Sequence, residues 1–438
     1  MSGARIDWTS APSGPLRGEV TVPGDKSVSH RAIMFASLAD GVSKISGFLE
    51  GEDTRATAAA FAQMGVRIET PAASERIVHG VGLPGLKAPT VPIDCGNAGT
   101  GMRLMTGLLA AQGFDSELIG DESLSRRPMR RVIEPLAAMG ARIDSEAGGL
   151  PPLRVHGGCE LTGIDYTLPV ASAQVKSAIL LAGLYARGET IVREPHPTRD
   201  YTERMLAAFS WPIEFSEGAA KLRGGHRLNA NDIVVPADFS SAAFFIVAAS
   251  IVPDSELLLR NVGMNPRRTG LLRALRLMGA DIRESNPRSL GGEPVADLVV
   301  RHAHLRGVEI PVDIVPDMID EFPALFVAAA VAEGTTRVTG AAELRVKESD
   351  RIAVMARGLR ALGANVSETA DGAIIEGGRL TGGVADSAGD HRCAMSFVVA
   401  GAIAEGAVRV GDCANVATSF PGFVNLAQAC GLRVSDAA

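Results

Sequence analysis

The chain has 438 residues, of which 46% are hydrophobic and 21% are charged, and its formal net charge is −7. This length predicts about two to four domains with ample material for a core, and the acidic balance argues against general nucleic-acid binding. The longest apolar runs, such as 325–332, fall well short of the ~18 residues of a membrane span. The N-terminal segment MSGARIDWTS lacks the apolar core of a signal peptide. Five scattered cysteines without metal-binding spacing indicate reduced thiols, so we expect a cytoplasmic protein.

Six strongly apolar helices recur along the chain, each after a short strand. Their expected starts are Asp25, Asn97, Ser172, Asp238, Asp320 and Asp390. Helices that are apolar on all sides are typically buried. Between them lies a second, amphipathic series that ends in a glycine before a short strand, as in 61–69, 135–144, 275–284 and 359–368. The pattern predicts six copies of a strand–helix–strand–helix–strand–strand unit, grouped as two lobes of three.

Cations stand at several of these helix starts. Lys26 and Arg31 lie in GDKSVSHR (24–31), and Arg392 opens the sixth apolar helix. A positive side chain in the first turn of a helix is electrostatically unfavourable, whereas the exposed N–H groups there favour an anion. The glycine-rich start GNAGTG (96–101) allows a ligand to approach the backbone closely. These positions therefore indicate anion binding rather than simple helix capping.

Two further charged segments have two readings each. The run RRPMRR (126–131) is either a solvated basic face or part of an anion site. The run KESDR (347–351) is either a surface charge run or part of a closed site. In the second case Glu348, which is flanked by two cations, would exchange a proton there. No Walker A, HExxH or GxSxG motif is present, and the glycine pattern at 80–85 is interrupted by a proline. We therefore expect neither a metal nor a nucleotide cofactor.

Eight segments, taken together, resemble the 5-enolpyruvylshikimate-3-phosphate synthase family. They occur in the family's order and span essentially the whole chain: GDKSVSHR (24–31), GNAGTGMR (96–103), RRPMRR (126–131), SAQVK (172–176), TRDYTE (198–203), LRVKESDR (344–351), DHRCAMSF (390–397) and ATSFP (417–421). The resemblance implies a two-lobed, inside-out α/β barrel of six βαβαββ units. The first lobe would be 24–235, the second 1–23 plus 236–438, and the active site would lie in the cleft between them.

The resemblance also implies the reaction. The family transfers the enolpyruvyl group of phosphoenolpyruvate to the 5-hydroxyl of shikimate 3-phosphate and releases phosphate, without a metal. The residues that would bind shikimate 3-phosphate are Lys26, Ser27, Arg31, Ser172, Ala173, Gln174, Arg199, Asp320 and Lys347. Those that would bind phosphoenolpyruvate are Lys26, Gly99, Arg127, Gln174, Arg351 and Arg392, with Asn97 and Thr100 lining the same pocket. Asp320 would be the base at the 5-hydroxyl and Glu348 would move the proton at the methylene carbon, although these two roles could be exchanged.

The chain departs from the family pattern at two positions, which leaves its subclass open. Tyr201 stands where one form of the family has histidine, and Arg267 stands where threonine is usual. Gly99 lies under the expected phosphoenolpyruvate site, and we expect sensitivity to the family inhibitor glyphosate.

Three alternatives can be weighed against this reading. The sister enolpyruvyl transferase acting on UDP-N-acetylglucosamine carries a loop cysteine, which 113–125 lacks. RNA 3′-phosphate cyclase shares the repeat unit, but the net charge opposes it. A non-catalytic anion-binding protein would not explain Asp320 and Glu348 among the cations. We therefore expect an enzyme acting on small molecules, a monomer that binds neither nucleic acid nor membrane.

Overall fold

Thirteen α-helices and 23 β-strands form within residues 5–437, the part of the chain that the computed structural model describes. The helices are α1 (Lys26–Leu38), α2 (Glu52–Gln63), α3 (Gly99–Leu109), α4 (Glu122–Ser125), α5 (Arg130–Ala138), α6 (Ala173–Gly183), α7 (Tyr201–Ala208), α8 (Phe239–Ile251), α9 (Gly270–Leu277), α10 (Phe322–Val331), α11 (Arg351–Ala361), α12 (His391–Ile403) and α13 (Phe423–Ala429). The strands are β1 (Trp8–Ala11), β2 (Arg17–Val20), β3 (Asp40–Ser46), β4 (Arg67–Glu69), β5 (Glu75–Val81), β6 (Ile93–Asp94), β7 (Ser116–Ile119), β8 (Arg142–Glu146), β9 (Leu150–His156), β10 (Asp165–Thr167), β11 (Glu189–Arg193), β12 (Ile213–Ser216), β13 (Ala219–Arg223), β14 (Ile233–Val234), β15 (Glu256–Gly263), β16 (Asp281–Leu290), β17 (Glu293–Arg301), β18 (Thr335–Val338), β19 (Asn365–Thr369), β20 (Gly372–Glu376), β21 (Gly383–Asp386), β22 (Val408–Gly411) and β23 (Arg433–Asp436).

The described chain divides into two units, each with its own hydrophobic core. The first unit comprises Gly24–Pro236 together with Leu290–Glu293. The second unit comprises the described residues up to Pro23, then Ala237–Ser289 and the residues from Pro294 onward. The buried apolar side chains form one cluster in each unit.

Three sheets of the same topology make up the first unit. Their strand orders are β14-β3-β5-β4, β6-β7-β9-β8 and β10-β11-β13-β12. In each sheet the first two strands are parallel and the remaining neighbours are antiparallel. A parallel pair needs a crossover, and the apolar helices α3 and α6 supply it between β6 and β7 and between β10 and β11. In the first sheet the apolar α1 precedes β3, and its parallel partner β14 comes from the end of this unit's chain. One repeat is therefore a strand, a buried helix, a parallel strand, an amphipathic helix and an antiparallel hairpin.

The second unit repeats this plan with strands borrowed from the N-terminal segment. Its sheets are β16-β17-β15-β2, β18-β20-β19 and β21-β22-β1-β23. Strand β2 pairs in parallel with β15, and β21 pairs in parallel with β22. In the three-stranded sheet, the isolated parallel bridges Arg306↔Glu333 and Glu309↔Arg337 take the place of the fourth strand. The predicted fold class, an α/β protein of six repeated units, is confirmed.

The apolar helices are buried as their composition requires. Every residue of α8 is buried, and α10 is buried from Phe322 to Ala330. The amphipathic α9 instead buries Leu271, Leu272 and Leu275 and turns its arginines outward, because only one of its faces lies on the sheet. No helix within residues 5–437 is both long and apolar enough to cross a membrane.

Four of the six predicted helix starts are N-caps in the structure. The capping side chains of Asp25, Ser172, Asp238 and Asp390 accept hydrogen bonds from backbone N–H groups of α1, α6, α8 and α12. The other two starts, at Asn97 and Asp320, lie one residue before the N-caps Ala98 and Glu321. Since neither of these two side chains caps its helix, both are available for other contacts.

Candidate active site

The N-terminal ends of α1, α3 and α6 are tied together within the first unit. Gln174 Nε2 donates to Thr100 Oγ1 at 2.8 Å, and Arg103 Nη1 donates to Gln174 Oε1 at 2.8 Å, which joins α6 to α3. Arg31 Nη2 donates to Ser177 Oγ at 2.8 Å, which joins α1 to α6. Three helix N-termini in one place, with their exposed N–H groups and dipoles, favour an anionic ligand.

Lys26 is the first residue of α1 and is held by a buried carboxylate. Its ammonium group forms an ion pair with Asp53 of α2, whose side chain is only 3% exposed. Asp25 caps the same helix by accepting from Val28 N at 2.8 Å, and it also accepts from the Tyr201 hydroxyl at 3.2 Å. These two carboxylates offset the cost of placing a cation at the positive end of a helix.

Arg31 is a buried cation whose three hydrogen bonds go to uncharged oxygen atoms. Its guanidinium donates to Thr202 Oγ1 at 2.7 Å, to the Ser27 carbonyl at 3.0 Å and to Ser177 Oγ at 2.8 Å. Burial, followed by repulsion from Arg199, lowers the pKa of Arg31 to about 10, so the group still carries its charge at neutral pH. A buried charge without a carboxylate in direct contact gains strongly from an incoming anion.

The four arginines of the run 126–131 have different environments. Arg126 is 75% exposed and pairs with Glu122, and Arg130 and Arg131 are also exposed. Arg127 alone is buried, at 7% exposure, and donates to Asn97 Oδ1 at 2.7 Å and to Ser123 Oγ at 3.0 Å. Three arginines of this run are thus solvated, as the first reading expects, whereas Arg127 is buried beside the start of α3, where the anion-site reading stays a prediction.

Gly99 opens α3 directly against two guanidinium groups. A Cβ atom at this position would lie 3.1 Å from Arg103 Nη1 and 3.2 Å from Arg127 Nη1. Contacts this short require the neighbouring side chains to move by a few tenths of an ångström. The absence of a side chain at Gly99 therefore lets both arginines reach the helix end.

The second unit gathers three carboxylates around one arginine. Arg351 is 1% exposed, and it donates to Asp390 Oδ2 at 2.8 Å, to Glu348 Oε2 at 2.6 Å and to Asp320 Oδ1 at 3.4 Å. Burial alone would lower the pKa of Arg351, but the attraction of Asp390, Glu348 and Asp320 outweighs it and raises the pKa. The segment 347–351 is therefore part of a built cluster and not a solvated charge run.

Asp320 has arginines on both carboxylate oxygens. Arg351 reaches Oδ1, as above, and Arg268 Nη1 donates to Oδ2 at 2.9 Å. The Asp320 carbonyl accepts from Arg392 Nη1 at 3.2 Å, and the Asp320 side chain is 15% exposed. The expected base is thus fixed in place while a small part of it remains accessible.

Sequence reasoning missed Arg268 and noted its neighbour Arg267 only as a departure from the family pattern. Arg267 lies 3.6 Å from Asp317 and its side chain is 26% exposed, whereas the Arg268 side chain is 5% exposed. The pair of arginines after a strand was the available signal, but the spacing does not reveal which one turns inward.

Arg392 and Lys347 are the other two cations that the sequence predicts for the site in the second unit. Arg392 is the second residue of α12, and its N–H group donates to the cap Asp390 at 2.9 Å. Burial raises the pKa of Asp390, but Arg351 outweighs burial and the pKa is lowered. Lys347 is partly exposed and lies just before α11.

Lys176, the lysine of the SAQVK segment, forms ion pairs with two buried carboxylates. It is 3% exposed and lies 2.7 Å from Glu194 Oε2 and 2.8 Å from Glu203 Oε1. Glu194 also accepts from Thr198 N at 3.2 Å, and this residue precedes Arg199. Lys176 thus links the start of α6 to the loop that carries Arg199.

The structure therefore divides the predicted site residues between two groups. The first unit holds Lys26, Ser27, Arg31, Asn97, Gly99, Thr100, Arg127, Ser172, Ala173, Gln174 and Arg199, and the second holds Asp320, Lys347, Glu348, Arg351 and Arg392. Within residues 5–437, no three histidine, cysteine, aspartate or glutamate side chains are grouped so that they could hold a metal ion.

Comparison with known proteins places this α/β fold and its cationic helix ends in one family. The family model described as EPSP synthase (3-phosphoshikimate 1-carboxyvinyltransferase) matches residues 10–426. A 3-phosphoshikimate 1-carboxyvinyltransferase of Xanthomonas oryzae pv. oryzae is 70% identical over 437 residues, covering 100% of this chain and 99% of the relative. One from Xanthomonas campestris pv. campestris is 70% identical over 435 residues, covering 99% of each chain.

Solved structures lead to the same family. The structure of EPSP synthase from Acinetobacter baumannii has a TM-score of 0.89 and 51% sequence identity to this chain, and covers 99% of this chain and 100% of its own. The chain belongs to the EPSP synthase family. It is an enzyme, a carboxyvinyltransferase.

Proposed function

We propose that this chain transfers the enolpyruvyl group of phosphoenolpyruvate to the 5-hydroxyl of shikimate 3-phosphate, releasing phosphate by addition–elimination. This reaction is a step of the shikimate pathway, which leads through chorismate to the aromatic amino acids. The family match along the whole chain carries the proposal. The alternative substrate, UDP-N-acetylglucosamine, is not favoured, since the relatives and solved structures described above are EPSP synthases.

Shikimate 3-phosphate is assigned to a set of cations, helix-start residues and one carboxylate. The set is Lys26, Ser27, Arg31, Ser172, Ala173, Gln174, Arg199, Asp320 and Lys347. Arg31 supports the assignment, because the hydrogen bonds of its buried guanidinium go to uncharged oxygen atoms. A phosphate group would add a negative charge in direct contact with Arg31 through charge-assisted hydrogen bonds.

Phosphoenolpyruvate is assigned to a second set of cations. The set is Lys26, Gly99, Arg127, Gln174, Arg351 and Arg392, beside Asn97 and Thr100. The bare backbone at Gly99 and the buried Arg127 next to it support this assignment. Arginine suits both ends of this substrate because its planar fork matches carboxylate and phosphate oxygens.

Proton transfer is assigned to two carboxylates, with Lys26 as a shared contact of both substrates. Asp320 takes the proton of the 5-hydroxyl, and Glu348 delivers and later removes the proton at the methylene carbon. Glu348 is 23% exposed and bonded to Arg351 at 2.6 Å, so a ligand on Arg351 would sit beside it. The cations stabilise the charge that develops as the phosphate leaves.

Phosphate release tests the proposal in one assay. Release should require both phosphoenolpyruvate and shikimate 3-phosphate, and UDP-N-acetylglucosamine should not replace the latter. Asp320→Asn and Glu348→Gln should each lower kcat by roughly 10²–10⁴-fold, the usual contribution of general acid–base catalysis. Release without shikimate 3-phosphate, or release supported by UDP-N-acetylglucosamine, would contradict the assignment.

We further infer that the enzyme works in the cytoplasm as a monomer, without nucleic acid or membrane partners. All five cysteines are unpaired in the structure, which is typical of a reducing compartment. The net charge of −7 disfavours nucleic-acid binding. Sedimentation velocity of the purified protein would test the monomeric state, and a dimer mass would refute it.

A further inference from the structure

Arg268 is a buried arginine that no substrate assignment uses. Its side chain is 5% exposed, and Nη1 donates to Asp320 Oδ2 at 2.9 Å. Its Nη2 donates to the hydroxyl of Ser240, in the first turn of α8. The same guanidinium therefore joins the expected base to the N-terminus of a fully buried helix.

Two further carboxylates lie close to this guanidinium and help to fix its position. Asp238, the N-cap of α8, lies 3.8 Å from Nη2, and Glu321 lies 3.6 Å from Nη1. Ser240 in turn donates to Glu321 Oε1. Arg268 thus has anionic or hydroxyl partners on both terminal nitrogens, so it cannot turn away from Asp320 without leaving buried charges uncompensated.

Arg351, the other arginine on Asp320, is less suited to this task. It approaches Asp320 at 3.4 Å, while its closer contacts are with Glu348 at 2.6 Å and Asp390 at 2.8 Å. It is also assigned to phosphoenolpyruvate, so a ligand would compete for its N–H groups. Arg268, by contrast, is assigned to neither substrate, and its contacts described above are with side chains of its own unit.

We propose that Arg268 is a positioning residue that holds the Asp320 carboxylate in a fixed orientation and keeps it ionised for the 5-hydroxyl. The inference rests on the proposed function, in which Asp320 is the base. Two hydrogen bonds from arginines on opposite oxygens restrict the rotation of the carboxylate. Preorganised geometry of this kind lowers the barrier, since a misplacement of ~1 Å can cost ~10²-fold in rate.

The pH dependence depends on every charged group that faces this carboxylate. Arg268 and Arg351 contact the carboxylate itself, and Arg392 contacts the backbone carbonyl of Asp320. The carboxylates of Glu321, Asp238, Glu348 and Asp390 lie against these arginines. A cation within hydrogen-bond distance favours the ionised carboxylate. Removing Arg268 alone leaves the negative groups in place, so the acidic limb of kcat/KM should move to higher pH.

The test compares Arg268→Met and Arg268→Lys with the matched controls Arg267→Met and Arg267→Lys. Arg268→Met should lower kcat by ~10²-fold, with smaller changes in KM for either substrate. Its acidic limb should move up by about one pH unit or more. Arg268→Lys keeps the positive charge but cannot contact Asp320 and Ser240 in the way that a guanidinium does. It should therefore lower kcat, while the acidic limb stays at the wild-type pH. Both Arg267 variants should match the wild type.

Two results would overturn the inference. One is a wild-type kcat in Arg268→Lys together with an unmoved acidic limb in Arg268→Met, and the other is a loss confined to KM. Circular dichroism melting shows whether the variants fold. If Arg268→Met does not fold, the kcat and KM of Arg268→Lys decide whether the inference holds. Asp320→Asn separates this inference from the proposed function: if it remains active, Asp320 is not the base. If it is inactive and Arg268 has no effect on kcat, only the inference fails.

Discussion

Removing Lys176, which pairs with two buried carboxylates, should strongly destabilise the first unit. Lys176→Met keeps the length of the side chain but leaves Glu194 and Glu203, which are 1% and 3% exposed, without their cation. Removing one partner of a buried pair costs about 3–5 kcal/mol because the remaining charge is left in a dry environment. Typical domains unfold with about 5–15 kcal/mol in total, so we expect a loss of about 3–5 kcal/mol in the unfolding free energy.

The penalty should depend on pH in a predictable direction. Burial raises the pKa of Glu203, and Lys176 opposes this shift. A carboxyl group with a raised folded-state pKa stabilises the fold below its unfolded pKa and loses that stability as pH rises through the folded value. Without Lys176 the opposing attraction is gone, so the penalty should be full at neutral pH and shrink as the pH falls.

Urea unfolding followed by tryptophan fluorescence measures this effect in the first unit alone. The chain has two tryptophans, and a Trp8→Phe background leaves Trp211, which is 2% exposed in the first unit. Lys221→Met is the matched control, since Lys221 is 38% exposed beside Glu189, and it should leave the midpoint unchanged. Two results would refute the electrostatic reasoning. One is an equal loss of unfolding free energy in Lys176→Met and Lys221→Met, and the other is the same loss in Lys176→Met at about pH 5.5 and about pH 8.

Three further predictions concern the site. Lys26→Ala should abolish phosphate release and weaken both substrates by ~1.5–3 kcal/mol, because a charge-assisted contact is lost; equilibrium binding measures the second effect. Gly99→Ala should raise KM for phosphoenolpyruvate and weaken glyphosate inhibition more strongly, because its Cβ would press on Arg127 Nη1 at 3.2 Å. Arg127→Gln should raise KM for phosphoenolpyruvate by roughly 10–100-fold, while Arg126→Gln, which alters a 75% exposed side chain, should leave it unchanged.

Each of these has a result that would contradict it. Normal turnover in Lys26→Ala would end the assignment of that lysine to both substrates. Superposable glyphosate inhibition curves for the wild type and Gly99→Ala would show that the site has room for a methyl group. Equal KM values in Arg126→Gln and Arg127→Gln would mean that the buried arginine does not contact phosphoenolpyruvate.

Local interactions made much of the fold readable from the sequence. A capping side chain bonds to a backbone group two or three residues away, as Asp25 does with Val28, so the cap and the helix start appear together in the sequence. An apolar run such as α8 must be buried wherever it lies. The six-fold recurrence of these local signals was enough to predict the α/β class and the repeating unit.

Contacts between distant residues were not readable in the same way. Arg31 meets Thr202, 171 residues further along the chain, and Asp25 meets Tyr201. Such pairs depend on how the repeats pack, and their members carry no periodic signal. The partners of the predicted cations therefore emerged only from the structure.

The sequence by itself determined the α/β class, the six repeats, the anionic character of the ligands and, through the family resemblance, the reaction. Only the tertiary structure decided which cations are buried: Arg127 among the four arginines of its run, and Arg268 rather than Arg267. Neighbouring arginines have the same intrinsic preference for burial. Which of them is buried therefore depends on which side chain faces the packed helices. Burial and partner geometry give an arginine its role, and both arise from packing between elements far apart in the chain.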